Sequence, residues 1–282
     1  MSFNELGKIE LGHNSEKFHS VSVDCNGAAM TFEMGRLAKQ TAGGVMVRWG
    51  DSVVLVTACG ASAPREGMDF FPLTCEYVEK TYAAGKIPGG YFKREARPRE
   101  AEILNARIID RSIRPLFPDG YRNETQVIAT VLSHDGVHDT DVMALNGASM
   151  ALHASNLPFA EDSGPIAGVR VVRIDGNWVA HPTLQQRDAA DVDMMVAVSK
   201  DAIVMVEGGA DEVVEAELLD ALFFALEQGQ NLIQGAHDLR SVVGKEKMAF
   251  EAPKVNAGLM SQVQELALAN GLKEAIVTKA KI

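Results

Sequence analysis

TYAAGKIPGGYFKREARPREAEILNARIIDRSIR, Thr81 to Arg114, is the stretch around which the chain is organised. It opens on a glycine-rich loop (Gly85, Gly89, Gly90) and passes two aromatics, Tyr91 and Phe92. A basic run follows, Lys93, Arg94, Arg97 and Arg99. Twenty residues without an element of their own are long for a compact domain, and such loops are generally functional or disordered. Pro98 closes the loop, and Glu100 and Glu102 suit the first turn of a helix. On that helix Arg107, Arg111 and Arg114 lie four and three residues apart and share an arc of roughly 60°. In a chain of net charge -11, this density of cations calls for a reason. A surface that accepts phosphates and stacks bases is the simplest one.

Working outward, VMVRWGDSVVLVTACG (45–60) reads as two apolar strands around a Trp49-Gly50-Asp51 turn. Phe70–Tyr77 is a third extended run, with Pro72 marking its start or an edge. TQVIATVLS (125–133) is the next strand. Asp139 and Thr140 suit the cap of a helix over 140–156, whose Ala144, Gly147, Ala148 and Ala151 permit close packing on a sheet. Residues 168–182 form a hairpin through Asp175-Gly176. DVDMMVAVS and AIVMVEGG add two strands, and one long helix covers about 211–235, with Leu218, Leu222, Phe223 and Leu226 on its apolar face. Residues 1–20 show little periodicity and are expected to form an arm. The order predicts an α/β sandwich built on a mixed sheet with helices on both sides.

The 282 residues suffice for about two domains, and 46% hydrophobic with 23% charged residues is ordinary for a globular protein. No apolar run reaches the length of a membrane span, so no membrane partner is expected, and MSFNELGKIELGHNSEKF lacks the apolar centre of a signal peptide. Cys25, Cys59 and Cys75 are odd in number and sit in apolar or strand-like runs, which suits thiols in a reducing compartment and points to the cytoplasm. GKIPGG lacks the ending of a P-loop. No zinc-ligand spacing emerges around His134 and His138.

FFPLTCEYVEKTYAAGKIPGGYFKRE, IIDRSIRPLFPDGY and QVIATVLS, in that order, closely resemble bacterial polynucleotide phosphorylase, over nearly the whole chain. The resemblance implies a ribonuclease-PH-like core (mixed sheet with packed helices, ribosomal-protein-S5-domain-2-like) over 1–240. A linker and the start of an all-helical segment would follow over 241–282. In that family two such cores flank the helical domain, with KH and S1 RNA-binding domains after them. The activity implied is phosphorolysis of RNA from its 3′ end: inorganic phosphate attacks the terminal linkage and a nucleoside diphosphate leaves, with Mg2+ bound in the second core. The implied assembly is a homotrimer that threads single-stranded RNA, with a degradosome endonuclease or helicase as a candidate partner. A non-catalytic RNA-binding ring subunit of an exosome-like assembly is the alternative. A standalone tRNA-trimming ribonuclease PH homologue is disfavoured by the helical segment after Lys245.

By this resemblance Tyr91, Phe92, Lys93 and Arg94 match the aromatic–basic loop at the RNA constriction, with Tyr91 and Lys93 replacing its common Phe and Arg. RNA contact is also expected of Arg97, Arg107, Arg111 and Arg114. For the last three, ion pairs with Asp110, Glu100 or Glu102 are the rival reading. Asp135, Asp139 and Asp141 could hold a metal, though turn and cap roles fit them better. In the family's catalytic core the strand equivalent to Asp191–Met195 carries two acids and, two positions on, a lysine. Here Asp193 matches the second acid, Met195 stands in place of the lysine, and Arg187 stands near the first acid. A methionine cannot stabilise a developing charge. No catalytic residue is therefore expected in this chain, and Asp193 is expected to be a strand-edge residue.

Overall fold

The structure is a computed structural model that describes residues 7–11, 17–89, 95, 97–160, 164–252 and 256–278. Its first sheet is assembled from β1 (Gly7–Leu11), β2 (Lys17–Cys25), β3 (Ala28–Met34), β4 (Gly43–Trp49), β5 (Ser52–Gly60), β6 (Leu73–Glu79) and β7 (Thr125–Ser133), in the order β1-β2-β3-β4-β5-β7-β6. All neighbours are antiparallel except β6 and β7, which run parallel. β6 is the edge strand that Pro72 signalled. Within the expected arm the described residues, 7–11 and 17–20, are strand. Phe18, Val21, Val23 and Cys25 bury on β2, and Asn26-Gly27, with φ of 56° and 81°, turns the chain into β3. Positive φ at both central residues is the geometry of a type I′ hairpin turn.

Between β6 and β7 lies α1 (Glu100–Ile113), and after β7 comes α2 (Thr140–Ala154). α2 is apolar all round, and 14 of its 15 residues are buried, so it is the central helix of the core. Gly147 lets it press onto the first sheet, since a Cβ there would stand 2.6 Å from Val56 and 2.8 Å from Val47. On the opposite side Asn146 binds the backbone of Gly168 through both amide groups, accepting at 3.0 Å and donating at 2.8 Å. Gly168 belongs to a second, separate sheet. This four-stranded antiparallel sheet has the order β11-β10-β8-β9, from β8 (Ala167–Ile174), β9 (Asn177–Ala180), β10 (Val192–Val198) and β11 (Ile203–Ala210). α3 (Leu184–Asp188) connects β9 to β10.

The long helix expected over 211–235 is two helices, α4 (Glu215–Gln228) and α5 (Gln230–Val243). They meet at Gly229, where a Cβ would clash with Val198 of β10 and crowd Ala167 and Val169 of β8 at 3.3 Å, so the chain passes too close to the second sheet for a side chain. α4 buries Ala221 and Ala225, and Phe223, expected on the apolar face, is exposed. Past residue 240 the chain is still tied to the core. Lys247 donates to the carbonyls of Leu152 and His153 at the end of α2, and Lys245 donates to that of Ala42. Cations suit a helix C-terminus, where carbonyls lack intrahelical partners. The chain groups into two compact units, Met1–Ala249 and Phe250–Ile282. The second contains α6 (Ala257–Ala269), capped by the Asn256 side chain, and α7 (Leu272–Val277). Among the described residues no helix is long and apolar enough to cross a membrane.

Candidate nucleic-acid interface

The aromatic–basic loop itself, Tyr91, Phe92, Lys93 and Arg94, lies outside the described residues. Its two flanks are fixed. The Glu95 carboxylate accepts from the Thr81 N–H at 2.6 Å and pairs with Lys80 at 3.2 Å. Those hydrogen bonds hold Glu95 below the usual carboxylate range. On the helical side Glu102 is buried and accepts from the N–H groups of Arg99 (2.7 Å) and Glu79 (2.8 Å), which binds the first turn of α1 to the end of β6. Arg99 pairs with Glu79. Arg97 is exposed at the rim of a cleft between the Thr81–Ala84 turn and α1, and it makes no ion pair among the described residues.

The three helical arginines do three different things. Arg114 spends its fork inside the protein: Nε donates to Asp110 at 2.7 Å, Nη1 to the Phe71 carbonyl and Nη2 to the Leu73 carbonyl, both at 3.1 Å. The ion-pair reading therefore describes Arg114. Arg111 pairs with Glu207 of β11. Arg107 is exposed and has no ion-pair partner among the described residues. Arg107 and Arg111 both line a second cleft of about 430 Å³ between α1 and the second sheet.

The floor of that cleft follows from strand register. Met195 lies directly across from Arg170 on β8 and from Glu207 on β11. Side chains two apart on a strand share a face, so Asp193, Met195, Arg170 and Glu207 stand on one face of the sheet. Met195 is only 2% exposed. Asp193 is held from two sides. Arg170 grips it with a bidentate fork (Nε–Oδ1 2.6 Å, Nη2–Oδ2 3.0 Å), and Arg187 of α3 donates from Nε at 3.0 Å. The same two arginines reach the start of α2, Arg170 to Asp141 at 2.7 Å and Arg187 to Asp139 at 2.6 Å. Asp193 is thus more than the strand-edge residue expected of it. Three carboxylates and two guanidiniums lock β8, β10, α3 and α2 together.

Burial raises the Asp193 pKa, but the hydrogen bonds and charges of Arg170 and Arg187 outweigh it and hold the carboxyl below its ordinary value. Asp139 goes the other way. It is 5% exposed and one of its oxygens lacks a hydrogen bond, so burial, and then the charge of Asp141, lift its pKa to about 6. The expected cap role therefore fails for the Asp139 side chain, because Arg187 takes its carboxylate. Asp135 does serve its turn, accepting from the N–H groups of Val137 (2.8 Å) and His138 (3.0 Å) and from the His138 ring.

These residues do not fit a magnesium ion. A hard dication of this kind wants near-octahedral oxygen ligation. Here each of the three carboxylates already accepts from a guanidinium, and two fixed positive charges stand where the ion would sit. Arg170 is the residue that sequence reading missed. Its only signal was a cation among apolar residues of a strand that also carries Arg173, and its partner Asp193 is 23 residues away.

Two models of the 3′ exoribonuclease family match the chain, domain 1 over residues 28–158 and domain 2 over 164–228. A polyribonucleotide nucleotidyltransferase of Sorangium cellulosum is 55% identical over 245 residues, 87% of this chain and 32% of the relative. One of Geobacter sulfurreducens is 49% identical over 263 residues, 93% of this chain and 37% of the relative. The chain thus spans about a third of the length of these curated relatives. The crystal structure of rice Rrp46 shares the fold, with a TM-score of 0.56 at 15% identity, covering 78% of this chain and 96% of that one. The chain belongs to the 3′ exoribonuclease, ribonuclease-PH-type family, and its sequence is similar to part of the bacterial polyribonucleotide nucleotidyltransferases.

Proposed function

We propose that this chain is the RNA-guiding, catalytically silent first core of a phosphorolytic 3′-to-5′ exoribonuclease. The whole enzyme would degrade messenger RNA in the cytoplasm, releasing nucleoside diphosphates at the expense of inorganic phosphate. It would act as a homotrimer, with Mg2+ and the reacting groups in a second core. The observation that carries the silent-core reading is the double arginine lock on Asp193 beside a buried Met195. A carboxylate with two guanidinium partners is neutralised, and a buried thioether cannot replace a lysine at a phosphate.

The RNA-guiding reading rests on cations. Arg97 and Arg107 make no ion pair among the described residues, and Glu95 and Glu102 tie down both flanks of the Tyr91–Arg94 loop. Exposed rings would stack bases without regard to sequence, at about 1–3 kcal/mol each, and cations would make the binding salt-dependent. The test is the affinity of a labelled oligo(A) for this chain across a salt series, with Phe92→Ala/Arg94→Ala and Arg107→Ala beside the unsubstituted chain. Each substituted chain should bind more weakly, and the arginine losses should flatten the slope of log K against log salt by about 0.7 per lost phosphate contact. Unchanged affinity and slope in both would remove the loop and α1 from the RNA path.

A further inference from the structure

Arg107 and Arg111 stand one helical turn apart on α1 and open into the same cleft, yet only one of them is available. Arg111 is taken by Glu207, and Glu207 is placed by the strand across from Met195. Both partners are about half exposed, 47% and 51% by side chain. An ion pair in that setting is weak, because water screens it and two long side chains must be held still. A competing anion such as a phosphate can therefore displace Glu207 from Arg111. Arg114 offers a contrast on the same helix, since Asp110 and two carbonyls hold it on three sides.

We propose that Glu207 is a specificity-determining residue that reserves this arginine pair for a chain of phosphates. The proposal rests on the reading of α1 as part of the RNA path. Arginines at i and i+4 lie about 5–6 Å apart at Cβ, a spacing that suits neighbouring groups on one polyanion. A single-stranded RNA backbone that meets Arg107 first presents its next phosphate to Arg111 at high effective concentration, and this displaces Glu207. A lone phosphate ion has no such second attachment, and the two phosphoryl groups of a nucleoside diphosphate share one bridging oxygen and stand closer together than successive phosphates of an RNA backbone, so both compete with Glu207 at a disadvantage. The cleft therefore selects RNA over the inorganic phosphate that phosphorolysis would consume and the nucleoside diphosphates it would release.

The experiment is fluorescence anisotropy of labelled oligo(A) on this chain, with ADP and inorganic phosphate as competitors. Glu207→Gln, Arg107→Ala, Arg111→Gln and the Glu207→Gln/Arg111→Gln pair are compared with the unsubstituted chain. Glu207→Gln should bind RNA about two- to fivefold more tightly, the factor expected when a weak exposed ion pair no longer competes. It should steepen the salt slope by up to about 0.7, and ADP and phosphate should become better competitors. The gain should vanish in the double variant. A gain that survives without Arg111 would reduce Glu207 to one more repelling charge and overturn the proposal. If Arg107→Ala weakens binding but Glu207→Gln changes nothing, the gate is wrong while the RNA path stands. No effect from either overturns both.

Discussion

Replacing Arg187 by Met tests the charge lock that ties α3 and the start of α2 to β8 and β10. Arg187 donates to Asp193 (Nε, 3.0 Å) and Asp139 (Nη1, 2.6 Å), and it tethers α3, a helix of five residues. Without it three carboxylates face the single guanidinium of Arg170. Removing one member of a buried ion pair costs about 3–5 kcal/mol. Arg187 and Asp193 retain side-chain exposures of 24% and 29%, so the lower end applies, about 3 kcal/mol near pH 8. With a urea m-value of about 3 kcal/mol/M for a chain this long, the unfolding midpoint should fall by about 1 M. The cost should shrink on acidification. Asp139 has a pKa of about 6 even with Arg187 present. In the variant it takes up a proton still more readily, so by pH 5 less than about half of the loss should remain. A loss under about 0.5 kcal/mol at pH 8, or one that does not diminish toward pH 5, would refute the reasoning.

Two further outcomes follow from the same geometry. Asp139 has a folded pKa above its unfolded value, so the folded chain binds protons more tightly between about pH 4 and 6 and this group's contribution weakens as pH rises through 6. Asp139→Asn removes that dependence. Its stability relative to the unsubstituted chain should improve by about 1–1.5 kcal/mol between pH 5 and pH 8, read by urea unfolding. A pH-independent difference would contradict this. Arg114→Lys loses a planar fork that binds Asp110 and two carbonyls, and should destabilise by about 1–2 kcal/mol in thermal or urea unfolding. Its affinity for RNA, measured well below the transition, should stay within about twofold. A large loss of RNA affinity with stability unchanged would return Arg114 to the RNA path.

Local signals in the sequence located most of the elements. The Thr125–Ser133 strand, the Gly50-Asp51 turn and the Asp175-Gly176 hairpin carried their own turn chemistry and apolar runs. Asn26-Gly27 carried an equally clear signal, and it announced the pairing of β2 with β3. The need for glycine at 229, between α4 and α5, was less legible, because the strands it approaches lie some 30 and 60 residues earlier in the chain. The site divides in the same way. Asp110 lay four residues before Arg114, within reach of any helical reading. Glu207 and Arg170 did not lie near their partners in the sequence. Arg170 meets Asp193 through the register of β8 on β10, and Glu207 meets Arg111 where α1 lies against β11, and neither can be read before the pairing of β8, β10 and β11 is known. The loss of the lysine at Met195 was visible at once. That Asp193 is neutralised as well became visible only when both arginines were in place.

The central claim separates gripping RNA from cutting it, and one assay addresses it directly. Pure chain is incubated with labelled poly(A), inorganic phosphate and Mg2+, and nucleoside diphosphate release is followed beside binding of the same RNA. RNA should be bound, and release should not exceed that of a protein-free control. Phosphate- and magnesium-dependent release that disappears in Asp193→Asn would contradict the account, because it would place the chemistry at the carboxylate that Arg170 and Arg187 are said to silence.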